Sequence, residues 1–538
     1  MNGLSAKTES LTYEEKMGLL EDRSPSDVDS DSGILELDTS LNASKWIPIV
    51  MAPFVYLRSV HWRMLAVRFL IFLVPSFLQG RHMREQIRPA KLGPTAYLDG
   101  MRGLAALFVY FCHYFYQAFT IAEGYGCGEN NYHILKLPIL RLWYQGPAAV
   151  CVFFVISGYA LTYKPLKLIR SRSWSEYSAC MSSLTFRRGI RLYLPTAIST
   201  LMIICLLRLG VYEWTREFAN DRTYHKNIME PHPAMMESTY EQLLDWAWQM
   251  FRFFHVWDWD SQGGRICKFY PTSDLSTHRL TQFKAYDVHL WTIPIEFRCS
   301  LYLFLVVLGT ARLQTWIRFL TVVGVMWFSY RNSRWEFVLF LAGMLLAEMD
   351  HIRGAHTPSP ALPIDEKQQP PSDGRGRFKS AFWFFASILG LYLMGQPDGR
   401  GEITPGWIYL SSIIPQWWGA ERYRYWQSAG AMIFVLSVGH VQTWQRFFNT
   451  SFVQYFGKIS YAIYLMHGPA MHCMGYHWEK WAYSITGVEG YWFNTGFVLG
   501  ACFCIPTVVW WADVFWRAVD VPTVKFARWF ESKCTYKP

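Results

Sequence analysis

Apolar and polar positions alternate along this chain in long blocks rather than residue by residue. Ten largely apolar blocks stand out, at about 98–119, 145–163, 190–209, 289–311, 315–331, 335–350, 380–396, 427–445, 455–475 and 491–516. At about 1.5 Å per residue each crosses, or nearly crosses, a hydrocarbon layer of about 30 Å as a helix. The pattern therefore predicts an all-α fold, a polytopic membrane helix bundle of about ten transmembrane helices. A further stretch at 406–419 is short and carries Pro415, so it is expected to re-enter rather than cross. The apolar pieces in 46–80 are broken by Arg, His and Pro and read as interfacial or re-entrant.

The blocks define the organisation. Residues 1–45 hold ten acidic and four basic side chains and few aromatics, and read as a disordered acidic tail. Interfacial segments and a basic linker follow at 46–96, then a membrane domain at 97–516 and a C-terminal tail at 517–538. Lys and Arg set the orientation. Residues 164–191 carry seven basic groups and one acid, which marks that side as cytosolic. The connection 210–288 has eight basic and eleven acidic residues and is expected on the lumenal or outer side. Ten crossings then leave both termini cytosolic, with an endomembrane such as the endoplasmic reticulum as the expected location.

Composition agrees with this class: 51% of residues are apolar and 18% aromatic, against 17% charged. The net charge of +10 belongs to loops beside spans, so it reads as topology and not as nucleic-acid binding. Eleven Cys without a CxxC pair give no sign of a metal centre. Cys127 and Cys267 both fall in connections expected on the oxidising side and are a candidate disulfide.

The chemistry begins in YLDGMRGLAALFVYFCHYF, where Arg102 and His113 sit in an otherwise apolar block. Eleven residues is about three turns, so the two project from nearly the same face about 16 Å apart. Ionisable groups within a span are costly, and their usual reason is function. The blander alternative pairs Arg102 with Asp99 and lets His113 bond a neighbouring helix. Glu296 and His289, about two turns apart in HLWTIPIEF, reach a depth comparable with His113.

LDGMRGLAALFVYFCH resembles the first-helix motif of the acyltransferase 3 family, integral-membrane enzymes that move acyl groups from acyl-CoA to hydroxyls. CVFFVISGYALT, FRRGIRLYLP and ISYAIYLMHGPA follow in the family's order, with LWTIPIEF a looser match. The resemblance runs from about Tyr97 to Trp516 and points to stand-alone fungal members. It implies His113 as general base on the acceptor hydroxyl, an imidazole being suited to proton transfer near neutral pH. Arg102, at the expected cytosolic end, is read as a holder of the CoA phosphates. Arg188 and Arg191, which match the family's Arg-x-x-Arg, are implied to bind the nucleotide end of CoA, a positive-inside anchor being the alternative. His467 matches a recurring family His and is read as a residue of the acceptor side or a satisfied core His. Glu296 is expected to orient His113, with His289 and Asp99 in support. No permanently bound cofactor is expected, acyl-CoA (acetyl-CoA first) being a substrate. The expected acceptor is a hydroxyl-bearing small molecule, a secondary metabolite, with a glycan or lipid as the alternative. A transporter would also use buried Arg, His and Glu, but would not consume acyl-CoA. His255 and Asp260 fit a His-x4-Asp acyltransferase pattern but lie in the loop away from the expected CoA side.

Overall fold

The computed structural model describes residues 62–79, 92–129, 131–230, 232–258, 286–355, 374–419 and 421–536. The expected acidic tail 1–45 lies outside them. Two units are distinct, Met1–Leu92 and Gly93–Pro538. In the first, α1 (Trp62–Leu73) has twelve residues, about 18 Å, too short to cross a membrane.

In the second unit each of the ten apolar blocks is a helix. They are α2 (Ala96–Ala118), α3 (Gly146–Arg170), α4 (Trp174–Arg208), α6 (Thr292–Thr310), α7 (Thr315–Arg331), α8 (Trp335–Arg353), α9 (Gly374–Met394), α10 (Arg424–Val438), α11 (Ser451–Ala470) and α13 (Gly490–Phe515). Three more helices complete the set used below: α5 (Thr239–Phe254) in the long connection, α12 (Tyr476–Thr486) and α14 (Val521–Cys534). No strand occurs among the described residues. By length and apolar character four segments can cross a membrane: Gly146–Arg170, Trp174–Arg208, Val288–Thr310 and Gly490–Cys534. The other blocks are shorter or less apolar. Residues 406–419 form only the short helix Ile408–Ser412 and a single turn at Gln416–Trp418, so they do not cross. The expected C-terminal tail is largely helical: α14 follows α13 through a π-turn at Trp516–Asp520 and packs on α4.

Two close helix crossings position the site. A Cβ on Gly103 of α2 would collide with the Gly457 backbone of α11, and one on Gly457 would press on Asp99. A Cβ on Gly158 of α3 would meet the Phe340 carbonyl, and one on Gly343 of α8 would meet that of Val155. Small residues let apolar helices approach where lipid gives no hydrophobic drive for association. The α2–α11 crossing lies beside Arg102. From there both helices run together, so that ten residues on, about 15 Å away, His113 meets His467.

Candidate active site

Three histidines from three helical segments meet at one end of α2. The ring centroids of His113 and His289 are 4.2 Å apart, those of His289 and His467 4.6 Å, and those of His113 and His467 5.3 Å. His289 lies in the single turn Val288–Trp291 that leads into α6. It is fixed by Tyr464, whose hydroxyl donates to the His289 carbonyl and accepts from Thr292 Oγ1. His289 and His467 are fully enclosed, whereas the His113 side chain keeps 19% of its surface accessible. His113 is thus the least enclosed of the trio. His467 Nδ1 faces the Ile463 carbonyl at 3.1 Å, and its Nε2 is buried without a hydrogen-bond partner.

A buried carboxylate organises this end. Glu230 Oε1 lies 3.1 Å from His289 Nε2 and 3.7 Å from His113 Nδ1. Its Oε2 takes Gln117 Nε2 and His472 Nε2, each at 3.1 Å. On its other side His289 Nδ1 meets Asp287 Oδ1 at 2.6 Å. The imidazole of His289 is therefore held between two carboxylates, and Glu230 stands against His113. Burial would push the Glu230 carboxyl up, but the field of His289 and hydrogen bonds from His289 and His472 hold it well below the usual carboxylate range. Nearby His232 is buried and faces His472, which lowers it to about 2, so it stays neutral.

The other end of the site is basic. Arg102 Nε donates to Ser460 Oγ at 3.0 Å, and Asp520 lies in the field of both Arg102 and Arg191. Arg188 donates through Nε to Ser300 Oγ and through Nη2 to Glu296 Oε1 at 2.7 Å. Here the expected role of Glu296 is corrected. Its Oε1 is taken by Arg188 and by Ser157 Oγ at 3.1 Å, at the arginine end, while the carboxylate beside His113 is Glu230. The error is one of depth. The Glu296 side chain lies seven residues, about 10 Å, beyond His289 on a descending segment. That is most of the distance separating His113 from Arg102.

Other expected residues fall as follows. Asp99 is in the first turn of α2, its backbone against Gly457. Cys127 is buried, its Sγ 4.0 Å from the Arg400 carbonyl, and Cys267 lies outside the described residues. His255 is exposed at the end of α5 with Nδ1 on the Phe251 carbonyl, and Asp260 lies outside the described residues. His113, His289 and His467 offer ring nitrogens within 4.8 Å of one another, a set that could hold a metal ion. Zinc would need three lone pairs converging at about 2.0–2.1 Å. Both nitrogens of His289 already face carboxylates, so the trio is better suited to handling a proton.

Glu230, Asp287 and His472 had no place in the sequence expectations. Glu230 lies in a polar connection without periodicity. Asp287 is two residues before His289, a short-range signal that was there to use. His472 follows His467 by five residues, which in a regular α-helix points elsewhere. The π-turn Met471–Gly475 after Pro469 redirects it.

Comparison with known proteins finds relatives over most of the chain. A family model described as an acyltransferase domain, of the acyltransferase 3 type, matches residues 95–517. The chain is 29% identical over 467 residues to O-acetyltransferase PaAT-1 of Phomopsis amygdali, covering 85% of this chain and 87% of that protein. It is 26% identical to acyltransferase R4 of a Phoma species, over 81% of this chain and 96% of the relative. Acyltransferase clz18 of Cochliobolus lunatus is 28% identical, over 80% and 94%. No solved structure matches the chain.

Proposed function

Because the chain belongs to the acyltransferase 3 family and is an O-acyltransferase, we propose that it moves an acetyl group from acetyl-CoA to a hydroxyl of a small molecule. The observation that carries this reading is the two-ended site. Arginines gather at one end of α2 and an accessible imidazole backed by a carboxylate stands at the other. Arg102, Arg188 and Arg191 hold the phosphates of CoA, with guanidinium groups suited to phosphate oxygens. The pantetheine arm runs along α2 toward His113. There His113 removes the proton of the acceptor hydroxyl as its oxygen attacks the thioester carbonyl. The C–S bond breaks, the C–O bond forms, and the imidazolium returns its proton to the CoA thiolate. Glu230 steadies the imidazolium.

The acetyl group is favoured by the name of the relative PaAT-1, an O-acetyltransferase. The similar proteins are stand-alone fungal acyltransferases, and the acceptor we favour is a fungal secondary metabolite. The protein would be an integral membrane protein of an endomembrane, with both termini cytosolic and ten crossings. The test supplies isotope-labelled acetyl-CoA to membranes containing the protein, together with an extract from cells lacking the gene. The expected result is one metabolite gaining the mass of one labelled acetyl group, with an equal amount of free CoA. Labelled acetyl-CoA consumed with no acylated product would contradict the reading.

A further inference from the structure

We propose that α5 is embedded in the bilayer, its outer face lying against lipid acyl chains. The connection 210–288 then does not lie wholly outside the membrane, as its charge suggests. The helix is well defined at its start, where Ser238 and Glu241 form a reciprocal capping box. Its outward face is the one that water would select against. The inward face mixes Met250 and Phe253 with polar side chains that bond within the protein. Gln242 donates to the Tyr286 hydroxyl, and Asp245 accepts from that hydroxyl and from Gln249. The outward face is Tyr240, Leu243, Leu244, Trp248, Phe251 and Phe254, a stripe at helical spacing, and each of these side chains is exposed. An aqueous surface helix would turn these groups inward.

The neighbour of α5 identifies what covers this face. The helix packs along α4, which belongs to one of the four segments long and apolar enough to cross a membrane. At the top, Arg208 of α4 donates to the Met236 carbonyl just before α5 begins. Lower down, Trp246 Nε1 donates to Thr200 Oγ1 at 2.9 Å. At the foot, the rings of Phe253 and Phe254 lie 5.8 and 4.3 Å from that of Tyr193. From Arg208 to Tyr193 is about 22 Å of helix, most of the thickness of a hydrocarbon layer. The outward stripe thus continues the apolar exterior of the bundle, on which Leu305 and Leu308 of α6 are likewise exposed. Arg252 and His255 lie near the foot, the guanidinium over the Trp248 ring and the imidazole on the Phe251 carbonyl.

The test uses the full chain in phosphatidylcholine vesicles whose acyl chains carry a photoactivatable diazirine, with a water-borne carbene reagent in a parallel sample. Peptide mapping after illumination is expected to find lipid adducts on Leu244, Trp248 and Phe251 as heavily as on Leu305 and Leu308, with aqueous labelling lost at all five. Aqueous adducts on Trp248 and Phe251 would overturn the proposal. So would protection from both reagents, which would mean that protein covers the face. Acyl transfer is not needed for the readout, so this result and the proposed function stand or fall separately.

Discussion

Glu230 separates the roles of the two carboxylates in the site. Replacing it with Gln keeps the shape but removes the charge and one acceptor, leaving a buried donor from His289, Gln117 or His472 unpaired. A buried unpaired group of this kind costs about 1–3 kcal/mol. Glu230→Gln is expected to lower kcat strongly with little change in the KM for acetyl-CoA. Glu296→Gln should do the opposite, leaving kcat nearly intact and altering the KM, because Glu296 neighbours Arg188 and not His113. Steady-state kinetics on the two variants checks both, and an equal loss of kcat in each would contradict the assignment. Arg102→Ala should raise the KM for acetyl-CoA by about tenfold to a hundredfold, the range set by one charge-assisted hydrogen bond of about 1.5–3 kcal/mol. Lys at that position should restore it only in part, since an ammonium lacks the planar fork. At this scale the sequence was legible where the spacing was helical. Arg102 and His113 share α2 and Arg188 shares α4 with Arg191, so a period of 3.6 was enough. Glu230 was illegible because an aperiodic connection brings it beside His113, a contact over more than one hundred residues of chain.

Among elements, the α2–α11 crossing sets the distance between His113 and His467. Gly457→Val would place methyl groups against the Asp99 backbone and push the two helices apart. Overpacking of this kind costs about 1–3 kcal/mol. The expected outcome is a lower Tm in detergent and a loss of transfer, although no residue of the site has been changed. Unaltered thermal stability and kinetics would show that the crossing has slack. The ten apolar blocks could be read directly as helices because block length and apolarity survive into structure. The pairing of those helices could not, since it depends on which small residues face one another. Gly158 and Gly343 are identical in kind to many glycines that meet nothing, such as Gly309 and Gly324.

For the whole molecule, the proposed ten-crossing topology makes a prediction far from the site. Asn449, in the glycosylation sequon Asn449–Thr450–Ser451, lies between α10 and α11, on a side that this topology makes cytosolic. It should carry no glycan, and a glycosidase-sensitive mass on its peptide would invert the late helices. The same topology places the arginine end of α2 toward the compartment that holds acetyl-CoA and the histidine end toward the other side. The molecule is then a device for bringing a thioester across part of a bilayer to a base on the far side. That account rests on His113. The most direct measurement compares transfer from labelled acetyl-CoA by membranes holding equal amounts of the protein and of its His113→Ala variant. Loss of the general base predicts a fall of about 10²–10⁴-fold in product formation, with insertion unchanged. Product formed by the variant at close to the unmodified rate would contradict it.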